Sequence, residues 1–254
     1  MEWLSSTDYP AQQHSIMSQK QGGTAQWFVD SPAFKRWRSG AEKTLFCPGM
    51  PGAGKTMMAA VAIDFLSKSL LADSVGLAYL FCSYDARADQ TATSLLTALL
   101  KQLVQRRPEI ADPVKQVYED YLDKSSKPSL AEIVKLTRFI CERYRTVFIV
   151  VDALDECTEK NCVRVSLVDA LRDLQTSFDV RLLFTSRFIP EIEKQFESDL
   201  HLEIRASEGD VRRFVAAQMP NMPACIRNNE DLKLEVQERI VQAVGGMQVS
   251  PPTL

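Results

Sequence analysis

Histidine is almost missing from this chain: His14 and His201 are the only two in 254 residues. Imidazole-built metal sites and His-dependent nucleophilic triads are therefore poorly supplied. The six cysteines, Cys47, Cys82, Cys141, Cys157, Cys162 and Cys225, include no Cys-x-x-Cys pair, so the common zinc and dithiol signatures do not apply. Several of them sit inside apolar runs, which points to reduced core thiols in a reducing compartment rather than a disulfide framework. An excess of one charge is lacking too. Thirty Lys+Arg against 33 Asp+Glu leave a net charge of -3, with no basic surplus to suggest nucleic acid and no acidic tail. Long apolar runs are also missing. "MMAAVAIDFL" carries Asp64 and is about half the length a membrane span needs. The first twenty residues have no apolar core of signal-peptide length. The expectation is a soluble, cytoplasmic chain with no membrane span and no nucleic-acid partner.

What is present is enough hydrophobic sequence (45%) for one substantial core. Residues 1–23 read as a flexible polar segment. Residues 24–43, "TAQWFVDSPAFKRWRSG" and its flank, read as an opening helix segment, with Ser31 before Pro32 as a start signal. Its aromatics are expected to pack on the domain. From 44 to 206 apolar strands alternate with helices: "TLFC" (44–47), "GLAYLFC" (76–82), "TVFIVVD" (146–152), "VRLLFTS" (180–186) and "HLEI" (201–204). Between them run helical stripes such as Leu95, Leu96, Leu99, Leu100 and Leu103. Another stripe is Val163, Leu167, Leu171, Leu174 and Phe178. Ser129 and Glu132 have capping-box spacing. Residues 207–247 read as C-terminal helices and 248–254 as a tail. Apolar strands that do not alternate, spaced by helices, imply an α/β fold with a parallel sheet covered on both faces.

The stretch "LFCPGMPGAGKT" (45–56) places Gly49, Pro51, Gly52 and Gly54 between a strand and a helix. Gly49-Met50-Pro51-Gly52-Ala53-Gly54-Lys55-Thr56 is the phosphate-loop pattern in the strand–loop–helix context that pattern requires. Glycines let backbone N–H groups turn inward onto phosphate oxygens, and the following helix, "TMMAAVAIDFLSKSLL" from Thr56 through Met57 on, adds its dipole. Lys55 supplies a mobile charge for the β- and γ-phosphates, and the Thr56 hydroxyl is placed to ligate Mg²⁺. Asp152, at the end of a buried strand, is the candidate metal-side carboxylate. Asp155 and Glu156 follow, either of them a candidate to orient or deprotonate a water, or the two form a solvated turn or cap the next helix. "LLFTSR" brings Thr185, Ser186 and Arg187 to the same sheet edge, where an arginine can sense the γ-phosphate. With no Asn-Lys-x-Asp run to read guanine, the base preference leans to adenine.

"GMPGAGKT", "FIVVDALDE" and "LLFTSR", with the lead-in "TAQWFVDSPAFKRW", resemble the NACHT nucleotide-binding domains of fungal NOD-like receptors, members of the STAND class of signalling NTPases. The resemblance runs from about Thr24 to Met247. Ala153 after the Walker B aspartate, followed by Asp155-Glu156, is its most specific feature. It implies a P-loop NTPase three-layer sandwich with sheet order 5-1-4-3-2, in which "RLLFTS" separates the strands of Lys55 and Asp152. It also implies ATP/ADP and Mg²⁺ as ligands, slow hydrolysis, and a switch that works through self-association, longer receptor chains or an effector, in innate immunity or heterokaryon incompatibility. Pro251 and Pro252 in "QVSPPTL" break the helix that family members continue, so the expectation is a nucleotide-binding module without lid or repeat sensor. Two rivals share the loop. A small-molecule kinase calls for an arginine-dense lid, which is not apparent. A non-catalytic scaffold is opposed by the intact Lys55, Thr56, Asp152 and Glu156.

Overall fold

A computed structural model describes residues 7–69, 74–86, 89–112, 114–117, 128–157 and 162–246. Strands β1 (Thr44–Pro48), β2 (Val75–Phe81), β3 (Thr146–Asp152), β4 (Val180–Ser186) and β5 (Leu200–His201) form one sheet in the order β2-β3-β4-β1-β5. Every pairing is parallel. This is the expected 5-1-4-3-2 order read from the other edge. β4 separates β1 from β3, the feature that sets this branch apart from kinases whose corresponding strands are adjacent.

Parallel strands need crossovers, and the crossovers cover both faces. Every residue of β1 and β3 is accordingly buried. Helix α4 (Lys55–Ser69) follows β1, and α5 (Ala92–Arg106) follows β2. Helices Leu130–Cys141 and Val163–Ser177 flank β3. Thr91 caps α5, and the Ser129/Glu132 capping box closes as its spacing predicts. Val163, Leu167, Leu171 and Leu174 are buried on one helical face, whereas Phe178 lies just past the helix and is half-buried. Predicted helical positions 70–71 and 161, together with 87–88 of the middle stretch and the tail 248–254, lie outside the described residues.

The opening segment forms α2 (Gln26–Asp30) and α3 (Pro32–Ser39), the latter capped by Ser31. Its aromatics pack inward as expected. Phe28, Phe34 and Trp37 are fully buried, and their rings run in a chain to Phe148 of β3, with centroids 5.4, 5.2 and 5.4 Å apart. Such contacts add about 0.5–1.5 kcal/mol each beyond the area they bury.

Of the segment expected to be flexible at 1–23, residues 1–6 lie outside the described residues, and the stretch that follows contains a helix. Tyr9–Ser18 is a helix (α1), capped by Asp8. Tyr9 is buried, and Gln13 Nε2 donates to the Ala60 carbonyl at 2.8 Å. Ile16 and Met17 are half-buried against the same core, so the inward face runs Tyr9, Gln13, Ile16, Met17, a helical stripe in which the polar Gln13 breaks the apolar periodicity by which an amphipathic helix is read. The last strand is also shorter than "HLEI". The chain keeps to the edge of β1 through Leu202 N–H to the Phe46 carbonyl (2.9 Å) and Ile204 N–H to the Pro48 carbonyl (2.7 Å). The C-terminal region carries helices Glu208–Gln218, Ala224–Arg227 and Glu230–Gly246. The last of these runs through the glycine pair expected to stop it.

Candidate functional site

The glycines of the loop serve different physical needs. Gly52 and Gly54 have φ of +78° and +91°, and a Cβ on either would meet nothing within 4 Å. Their requirement is conformational, since L side chains disfavour that region by about 1–2 kcal/mol. Gly49 is different: a Cβ there would sit 2.5 Å from the Ile204 carbonyl oxygen, so the position has room for hydrogen only. Gly49 N–H also bonds the Ser186 carbonyl at 3.0 Å, tying the loop to the end of β4. Met50, Pro51 and Gly52 are exposed, while Ala53 and Met57 are half-buried against the core. Helix α4 begins directly with Lys55, and Met58 N–H bonds the Gly54 carbonyl at 2.9 Å. Lys55 Nζ reaches back across the loop to the carbonyls of Gly49 (2.8 Å) and Met50 (2.9 Å). Burial lowers its pKa, partly offset by the charges of Asp155 and Asp152.

Asp152 ends β3 and is 2% exposed. Burial pushes its carboxyl above the usual aspartate range, against hydrogen bonds from the hydroxyls of Thr185 and Thr56. Thr185 Oγ1 donates to Asp152 Oδ1 at 2.5 Å and accepts from Ala153 N–H at 2.9 Å. Thr56 at the start of α4 and Asp152 at the end of β3, predicted as a pair, thus come to the same place at the mouth of the loop. Two oxygen donors converging at the mouth of the loop make a donor set suited to a hard divalent cation.

The chain then turns sharply. Ala153 adopts φ +57°, a left-handed value that a small residue bears best, and Leu154–Glu156 form a 3₁₀ turn. That turn sends the acidic pair in opposite directions. Asp155 reaches Arg187 at the end of β4, accepting from Arg187 Nε at 2.5 Å and from its backbone N–H at 3.0 Å. Glu156 Oε2 accepts from Tyr84 N–H at 3.0 Å, in the segment after β2. The solvated-turn alternative fails for Asp155, whose side chain is 2% exposed. Arg187 is held by Asp155, which raises its already high pKa further. The sequence reading missed the Tyr84 amide. No residue type signals a backbone donor, and Tyr84 is far from Glu156 along the chain.

The family model described as Nephrocystin 3, N-terminal, matches residues 23–187, which include the loop, Asp152, the acidic pair and Arg187. The chain belongs to the nephrocystin 3 N-terminal family. Within it, the domain is NACHT-like and forms a nucleotide-binding P-loop module. Vegetative incompatibility protein HET-E-1 of Podospora anserina is 29% identical over 182 residues, 68% of this chain and 13% of that protein. The nephrocystin-type domain therefore corresponds to a small fraction of that relative's length. Among solved structures, the Aeropyrum pernix ORC1 protein in complex with DNA overlays with a TM-score of 0.50 at 16% identity, covering 88% of this chain and 68% of that one. At that identity the likeness is one of fold, an α/β P-loop NTPase. Among the described residues no helix is long and apolar enough to cross a membrane.

Proposed function

We propose that this domain binds ATP and ADP with Mg²⁺ and acts as a nucleotide-dependent signalling switch with slow hydrolysis. The observation that carries the reading is the placement of buried Asp152, held by the Thr185 hydroxyl, against the Lys55–Thr56 start of α4. In this reading the backbone of Gly49, Met50, Pro51, Gly52, Ala53 and Gly54 cradles the phosphates, and Lys55 exchanges its loop carbonyls for phosphate oxygens. Thr56 and Asp152 hold the metal, which when bound neutralises charge on the β- and γ-phosphates. Glu156 leaves the Tyr84 amide to orient a water. Asp155 positions Arg187, whose half-exposed guanidinium senses the γ-phosphate. Met57 packs the first turn of α4 beneath the site.

The similarity to HET-E-1 supports a cytoplasmic role in incompatibility or innate-immune signalling. The switch would work through self-association, a longer receptor chain or an effector protein. Denaturing the purified chain and identifying the released nucleotide tests the proposal. ADP or ATP in near-stoichiometric amount is expected, and protein that carries none and takes up none on incubation contradicts it.

A further inference from the structure

Cys82 and Cys157 lie far apart in sequence, yet their sulfurs are 2.9 Å apart in the core. They are 6% and 2% exposed. Cys47 and Cys141 are also buried thiols, and Cys162 and Cys225 are exposed, but among the described residues only Cys82 and Cys157 make a sulfur–sulfur contact. The backbone builds this approach. Phe81 is in register with Asp152, and Cys82 N–H extends that ladder to the Asp152 carbonyl at 3.1 Å. Cys157 closes the 3₁₀ turn, its N–H on the Leu154 carbonyl at 3.3 Å. The two segments so joined are those that carry Tyr84 N–H and Glu156. Tyr84 is 58% exposed, so solvent reaches the chain two residues beyond Cys82.

We propose that Cys82 and Cys157 are a site of reversible disulfide formation under hydroperoxide, and that the bond clamps the Glu156 turn to the segment after β2. One thiolate attacks a peroxide oxygen, the O–O bond breaks, and an alcohol or water leaves, giving a sulfenic acid. The second thiol attacks that sulfur and expels water. Two electrons pass from the sulfurs to the peroxide, and the thiol protons end in the products. A dithiol reductant reverses the bond by exchange. The cross-link holds Glu156 on the Tyr84 amide and keeps it from reaching a water. This effect on turnover rests on the role given to Glu156 above.

The test treats the full chain with hydrogen peroxide, traps remaining thiols with N-ethylmaleimide and maps the peptides. A linked Cys82–Cys157 peptide is expected, with slower hydrogen exchange at the Tyr84 amide and a several-fold loss of ATP turnover. Dithiothreitol restores both, and Cys157→Ala shows neither change. Oxidation confined to Cys162 and Cys225 overturns the proposal, as does a linked pair with unchanged Tyr84 exchange. A reduced chain without turnover sinks the hydrolytic reading alone, because the cross-link and the Tyr84 amide still report on the clamp.

Discussion

Arg187 and Asp155 make a two-point contact, the backbone N–H to Asp155 Oδ1 at 3.0 Å and Nε to Oδ2 at 2.5 Å. The carboxylate is buried while the guanidinium is half-exposed, so one partner depends on the pair more than the other. Arg187→Ala leaves a buried charge without its cation and should destabilise the fold by about 1–3 kcal/mol, at the lower end because water reaches the arginine. Asp155→Asn on the Arg187→Ala background should recover part of that loss. Urea denaturation of the double-mutant cycle checks this, with a coupling of about 0.5–3 kcal/mol expected. Strict additivity would show that the contact contributes nothing.

The glycines of the loop should separate by variant. Gly49→Ala drives a Cβ into the Ile204 carbonyl, and relief requires the edge of the sheet to shift, at a cost of about 1–3 kcal/mol. Gly52→Ala meets no atom but must hold φ near +78°, a cost of about 1–2 kcal/mol. Denaturant unfolding of both should show destabilisation. Crystal structures should show movement of the Ile204 segment only in the Gly49 variant.

Glu156→Gln keeps an acceptor for the Tyr84 amide but removes the carboxylate that would act on the water. It should retain ATP binding and slow hydrolysis, whereas Asp155→Asn should act mainly through Arg187. Single-turnover assays decide this: wild-type rates in both variants would leave the pair a structural feature only.

Asp179 links stability to pH. Burial disfavours its carboxylate, but hydrogen bonds from Arg181 and Thr146 outweigh this, and its pKa lies below the ordinary aspartate value. Thr146 Oγ1 donates at 2.7 Å and Arg181 at 2.8 Å, clipping the start of β3 to β4. The unfolded chain binds the proton more readily, so this stabilisation is complete above the unfolded pKa and is lost as pH falls through the lower folded value. Asp179→Asn should flatten the acid limb of a thermal-melt series and lower the melting temperature at neutral pH. An unchanged acid limb would remove Asp179 from the account.

The legibility of this chain follows the range of the interactions involved. The loop and the end of β3 were readable because each function is written in a contiguous run and each strand is apolar throughout. The sheet order came from resemblance, since periodicity says nothing about which strands neighbour one another. Helix α1 escaped because the polar Gln13 interrupts the inward face formed by Tyr9, Ile16 and Met17. The Asp155–Arg187 pair and the Glu156 contact with Tyr84 N–H depend on the left-handed turn at Ala153, which sends adjacent acids to different strands. The Cys82–Cys157 approach is of the same kind, a contact made only when β2 lies beside β3.

The central claim is that Lys55, at the start of α4, binds the phosphates of a nucleotide. Isothermal titration of ATP and ADP with Mg²⁺ into wild type and Lys55→Ala tests it most directly. The account predicts saturable binding to the wild-type chain and a loss of about 1.5–3 kcal/mol in the variant, the worth of a charge-assisted contact. Equal affinity in the two proteins, with melting curves showing both folded, would contradict it.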